Sequence, residues 1–118
     1  MAGYCDLMVW QLAMDLAEDV YKLCALFPRQ EIYGLTSQLQ RAAVSIPSNI
    51  AEGQARNTSK EFGHFLGIAR GSLAELETQI MLAQRLGYLT VDSTSLLLEK
   101  AEEIGKMLSG LQKSIATI

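Results

Sequence analysis

The chain has 118 residues, 49% of them hydrophobic and 19% charged, with a formal net charge of -3, a pI near 5.1 and a mean hydropathy of +0.15. That length carries one domain with its own apolar core and no need of disulfides or metal, and the acidic balance speaks against a strongly nucleic-acid-binding domain, which carries a basic surplus. A small domain has much surface for its volume, so this apolar content predicts an outward apolar face and hence self-association or a partner.

Helical periodicity dominates the chain. In the first segment Leu7, Trp10, Met14, Ala17, Tyr21 and Cys24 step by three and four, while Asp15, Glu18, Asp19 and Lys22 fall on other faces. The spacing predicts a helix with that stripe toward the core, Asp6 as its N-cap and Phe27-Pro28 as its end. PRQEIYG, residues 28–34, reads as a loop.

The second segment steps Leu39, Ala43, Ile46, Ile50, Gly53, and the stripe crosses Pro47 without losing phase. A turn would reset the phase, so one helix over residues 36–56 is predicted, bent at Pro47. An interior proline removes a backbone hydrogen bond and presses on the carbonyl four residues back, here Ala43; in an isolated helix this costs about 3 kcal/mol. Packing on both sides must offset that cost. The alternative is a helix that stops at Ser45 and restarts.

In the third segment Phe62, Leu66, Ala69, Leu73, Leu76, Ile80 and Ala83 form an unbroken series of four- and three-residue steps. Thr58-Ser59-Lys60-Glu61 has the form of a capping box, and Gly87 of a left-handed C-terminal cap. The fourth segment starts at Thr90 and steps Leu97, Ala101, Ile104, Leu108, Leu111, Ile115. Short connections make sequential helices antiparallel neighbours. The predicted class is all-α, an antiparallel up-down-up-down four-helix bundle in a single domain over residues 1–118.

No apolar run is long enough to span a membrane, and MAGYCDLMVWQ lacks a basic start and carries Asp6, so a cytoplasmic location is expected. On one helix Cys5 and Cys24 stand roughly 28 Å apart, beyond the ~7 Å that a disulfide allows. Cys24 reads as a small core residue and Cys5 as a half-exposed thiol. Charge is uneven: residues 28–60 carry Arg29, Arg41, Arg56 and Lys60 against Glu31 and Glu52, whereas acidic residues dominate 75–103. A local basic face is therefore open.

Residues with catalytic chemistry are sparse. Glu61 and His64 have the Glu-x-x-His spacing of di-iron bundles, but that site needs two such motifs and two more carboxylates, and His64 is the single histidine. No nucleophile elbow, P-loop or dinucleotide fingerprint is present. No catalytic residue, metal, cofactor or small-molecule substrate is expected.

Gly63, Gly67 and Gly71 instead form a smooth helical stripe with Ala74 and Thr78, away from the core stripe. Each glycine costs about 1 kcal/mol against alanine in a helix. The stripe suggests that a neighbouring backbone approaches, either inside the bundle or across a subunit contact. On the second helix Arg41, Ser45, Ser48, Asn49, Glu52 and Arg56 cluster opposite the Leu39–Ile50 stripe. A solvated face accounts for such a row, but the flanking Val44, Ala51 and Ala55 suit a semi-buried contact. Ion pairs from Glu75 to Arg41 or Arg56 are open to this face.

The stretch from Arg41 to Gly53, RAAVSIPSNIAEG, together with Glu61-Phe62 and ARGSLAELE at 69–77, resembles the signature of a bacterial four-helix-bundle family. That family is named for proteins encoded in intervening sequences of 23S ribosomal RNA genes. The likeness extends to Trp10-Gln11 and Tyr33–Gln38 and covers nearly the whole chain. The resemblance implies a small antiparallel bundle assembling as a ring-shaped homopentamer, and no catalytic residues. It includes the accessory variability protein of diversity-generating retroelements, which binds a reverse transcriptase and nucleic acid. Those relatives are strongly basic and this chain is acidic, which weakens the nucleic-acid expectation.

The motif positions it assigns here are Arg41, Ser45, Pro47, Asn49, Glu52, Gly53, Gly71, Ser72, Glu75 and Glu77. Two functions are therefore expected: a non-enzymatic homo-oligomeric scaffold or adaptor, or an RNA- or nucleoprotein-binding module using Arg41, Arg56, Lys60 and Arg70.

Overall fold

The computed structural model describes residues 3–116; the ends of the predicted domain, residues 1–2 and 117–118, lie outside them. Four long helices follow one another: α1 (Met8–Cys24), α2 (Leu35–Gln54), α3 (Ser59–Arg85) and α4 (Val91–Ala116). Short 3-10 turns, Gly3–Asp6 and Arg29–Glu31, precede α1 and α2. Each helix packs on its sequence neighbours and α4 closes back on α1, while the diagonal pairs do not meet. This is the predicted up-down-up-down bundle, 46 Å long and 22 Å across.

α2 runs unbroken through Pro47. Its phase explains why. Leu39, Ala43, Ile46 and Ile50 are all sealed in the core, and burying a large aliphatic side chain yields about 1.5–3 kcal/mol. Three such side chains flank the proline, Leu39 and Ile46 before it and Ile50 after it, and together they outweigh the lost hydrogen bond. The stripes of α3 and α4 are buried as their spacing predicts, with Leu66, Leu76, Ile80, Ile104 and Leu108 fully enclosed and only Phe62 and Leu111 partly buried.

Termini follow the local chemistry. The Thr58 hydroxyl accepts the Glu61 N–H at 3.1 Å, but the return bond of a full capping box is not formed. Gly87 takes φ +81°; its N–H reaches the Gln84 carbonyl and that of Tyr88 the Ala83 carbonyl, both at 2.9 Å. That double bond is a Schellman cap, and it needs a residue without Cβ at the left-handed position. Thr90 caps α4 by accepting the Ser93 N–H at 3.0 Å.

Two expectations for α1 are corrected. Asp6 is not its N-cap. The Leu7 N–H bonds the Tyr4 carbonyl at 3.1 Å, so the 3-10 turn feeds straight into the helix, and Leu7 occupies the cap position without a side-chain bond. The buried stripe also differs by one residue in phase. Val9, Ala13, Leu16, Val20 and Cys24 face the core, whereas Met14 and Tyr21 are 44% and 47% exposed. Ala17 is buried, and Leu7 and Trp10 pack only partly against the core. One residue is about 100° of rotation. α1 is apolar on two adjacent faces, and only contact with α2 and α4 decides which one turns inward.

Candidate contact face on the second helix

α2 and α3 make the most extensive contact in the bundle, and small side chains are the reason. At Gly53 an added Cβ would stand 2.6 Å from the Phe65 Cβ and 3.1 Å from Phe62 Cδ1. This is the glycine that lets two helices close up. The stripe Gly63, Gly67, Gly71 behaves otherwise. A Cβ at Gly63 would meet Ile115 Cδ1 at 3.7 Å, one at Gly67 the Gln112 amide at 3.4 Å, and one at Gly71 nothing within 4 Å. No backbone of the same chain approaches these positions, so the intra-bundle account of the stripe does not hold; α4 covers its first two residues with long side chains. Gln112 donates to the Gly63 carbonyl at 3.1 Å and accepts from Arg70 at 2.9 Å.

Polar motif residues meet along the α2–α3 seam. Ser45 Oγ lies 2.7 Å from Ser72 Oγ. The Asn49 amide donates to both the Ser45 carbonyl at 2.8 Å and the Ser45 hydroxyl at 2.9 Å. Further along the seam, Gln38, Arg41, Ser45, Glu75 and Gln79 line an open groove of about 430 Å³. Arg41 and Glu75 are exposed on its two banks, and no ion pair joins them among the described residues. Gln79 is only 8% exposed. Its amide nitrogen reaches Gln38 Oε1 at 3.5 Å, and its own Oε1 is sealed from solvent without a donor.

Sequence reasoning passed over Gln38 and Gln79. The available signal was that Gln79 stands three residues after Leu76 and four before Ala83, a polar side chain on core spacing.

On the opposite flank of α2 lies an open apolar hollow of about 450 Å³, lined by Trp10, Met14, Tyr21, Val44 and Pro47, with Glu18 and Ser48 at its edge. Val44 is 41% exposed, and Tyr4 meets Trp10 edge-on at 5.4 Å. The α1 stripe expected in the core is the floor of this hollow. At about 100° per residue, Val44, Ser48, Arg41 and Ser45 form one continuous arc. The hollow and the groove are therefore two halves of one face centred on α2. A second group of exposed apolar side chains, Leu26, Tyr33, Leu82, Leu86, Val91 and Leu96, belongs to the end of the bundle where α1 finishes and α4 begins.

The remaining motif and basic residues do not converge. Glu52 pairs with Arg56 at 2.7 Å, and the Arg56 guanidinium also stacks 4.9 Å from the Phe65 ring centre; the open Glu75–Arg56 pairing is thus not made. Lys60 is exposed in the first turn of α3. Glu77 lies in a shallow α3–α4 depression with Arg70, Glu102, Lys106 and Lys113. Partial burial, and then the nearby Glu102 carboxylate, raise its pKa above the ordinary glutamate value. His64 is exposed and stacks edge-on against Phe65. Among the described residues no group of three or more His, Cys, Asp or Glu stands close enough to hold a metal ion, and no helix is long and apolar enough to cross a membrane. What the α2 face offers is donors, acceptors and apolar surface, the means of contact.

The fold and this face define an antiparallel helical bundle with a small-residue seam between its second and third helices. The family model of the 23S rRNA-intervening sequence proteins matches residues 5–110, and the chain belongs to that family. Among solved structures it is similar to a protein of unknown function from the S23 ribosomal protein family of Bacteroides thetaiotaomicron VPI-5482. The two share 26% identity and a TM-score of 0.81 over 90% of this chain and 99% of that one. No curated protein matches the chain.

Proposed function

We propose that this protein is a non-enzymatic building block that assembles with copies of itself into a closed ring, five subunits by its resemblance to the family, and serves as a cytoplasmic scaffold or adaptor. The observation that carries the proposal is the α1–α2 hollow. Trp10, Met14, Tyr21 and Val44 put apolar area side by side on the outside of a bundle whose core is already complete. Contiguous exposed apolar area of this kind marks an interaction surface, and a ring is the closed solution when two different patches of one chain meet. The apolar end of the bundle around Tyr33 and Leu86 stays free for a further partner.

RNA or nucleoprotein binding is the lesser alternative. Arg56 is already paired with Glu52, the other candidate cations lie apart, and the net charge of -3 gives the chain no basic surplus for phosphates. Native mass spectrometry and sedimentation test the proposal. The expected species is a closed oligomer that Met14→Glu converts to a helical monomer; a wild-type monomer at all concentrations overturns it. Measurable RNA affinity that falls steeply with salt would favour the alternative, and none at low salt removes it.

A further inference from the structure

The α2–α3 groove contains an unfinished polar site. Gln79 is nine-tenths buried, and its Oε1 has neither solvent nor a donor. A buried acceptor left unpaired costs about 1–3 kcal/mol, and native chains rarely leave one without a reason. Its hydrogen-bond partner, Gln38, is exposed and accepts from the other end of the amide at 3.5 Å, the outer limit of a hydrogen bond. Gln79 and Gln38 both line the groove, where Glu75, Arg41 and Ser45 also stand.

We propose that this groove receives a hydrogen-bond donor side chain from a second copy of the chain, so that Gln79 is satisfied only in the assembly. This rests on the self-assembly proposed above and names the polar half of its contact. Two features select another copy as the occupant. The groove is continuous, around the outer arc of α2, with the apolar hollow, so one docked surface covers both. It also presents one charge of each sign, Arg41 and Glu75, which suits a protein surface of mixed charge and not a polyanion. The lining residues of the two halves run from Gln38 to Ser48, roughly 15 Å along α2. An incoming donor bonds Gln79 Oε1 and is flanked by the Glu75 carboxylate, while Arg41 takes an acceptor from the same neighbour.

The test compares the assembly of wild type, Gln79→Leu, Glu75→Lys and Arg41→Glu by sedimentation over a range of protein concentrations, with helical circular dichroism as the check on folding. Each variant is expected to need at least tenfold more protein to assemble while keeping its helicity. Gln79→Leu separates the two roles of this residue: its dissociated protomer should melt no lower than that of wild type, because an unpaired buried amide has been removed, yet its ring should be weaker. Variants that assemble at the wild-type concentration overturn the inference and leave self-assembly standing. A wild-type protein that stays monomeric overturns both.

Discussion

The hydroxyls of Ser45 and Ser72 lie 2.7 Å apart across the α2–α3 seam, and the Asn49 amide holds the Ser45 group from the other side. Two small hydroxyls bonded to each other let the helices approach without leaving a polar group stranded. Ser72→Ala removes one partner but leaves Ser45 paired with Asn49, so the loss should be about 1 kcal/mol, the net worth of one hydrogen bond. A urea midpoint that does not move would show that the pair contributes nothing to stability.

Gly53 and Gly71 should respond to alanine with opposite signs. At Gly53 the new methyl collides with the Phe65 Cβ at 2.6 Å, a backbone-anchored atom, and overpacking of that kind costs about 1–3 kcal/mol. At Gly71 nothing lies within 4 Å, and alanine in an exposed helical position should gain up to about 1 kcal/mol. Thermal melts of the two variants check the pair, and equal shifts would contradict it.

Glu77 carries a pH dependence. Its folded pKa is raised by partial burial and then by Glu102, so the folded state binds its proton more tightly than the unfolded chain. Stability from this group is therefore greatest at acid pH and falls as pH rises through the unfolded and then the folded value. Glu77→Gln should be neutral or stabilising at pH 7, and that advantage should vanish below the ordinary glutamate range. Denaturation midpoints at pH 3 and pH 7 measure the difference; an advantage that persists at pH 3 would assign the gain to something other than ionisation.

The two thiols should react on different schedules. Burial pushes the Cys24 thiol up to about 11, so it holds almost no thiolate at neutral pH, while Cys5 is half-exposed in the first 3-10 turn. Maleimide should label Cys5 in the folded protein and Cys24 only on unfolding. Mass spectrometry of the labelled peptides reads this directly, and early labelling of Cys24 would mean that α1 opens locally.

Sequence alone determined the four helices, their order and most of the core, because periodicity is a local property that folding preserves. It carried α2 across Pro47, since an apolar stripe in constant phase has a single face to bury. The family motif also singled out Ser45, Asn49 and Ser72, which are hydrogen-bonded at the α2–α3 seam. Three matters were decided only by tertiary packing. α1 is apolar on two neighbouring faces, and the 100° choice between Val9–Leu16–Val20 and Trp10–Met14–Tyr21 depends on which face α2 and α4 accept. Glycine reads alike wherever it occurs in a helix, so only the distances separate Gly53, pressed against Phe65, from Gly71 in open space. A glutamine on core spacing does not disclose its partners. That Gln79 is buried with an empty acceptor follows from the depth of the seam and the reach of Gln38, which depend on how two helices far apart in the chain come to lie side by side.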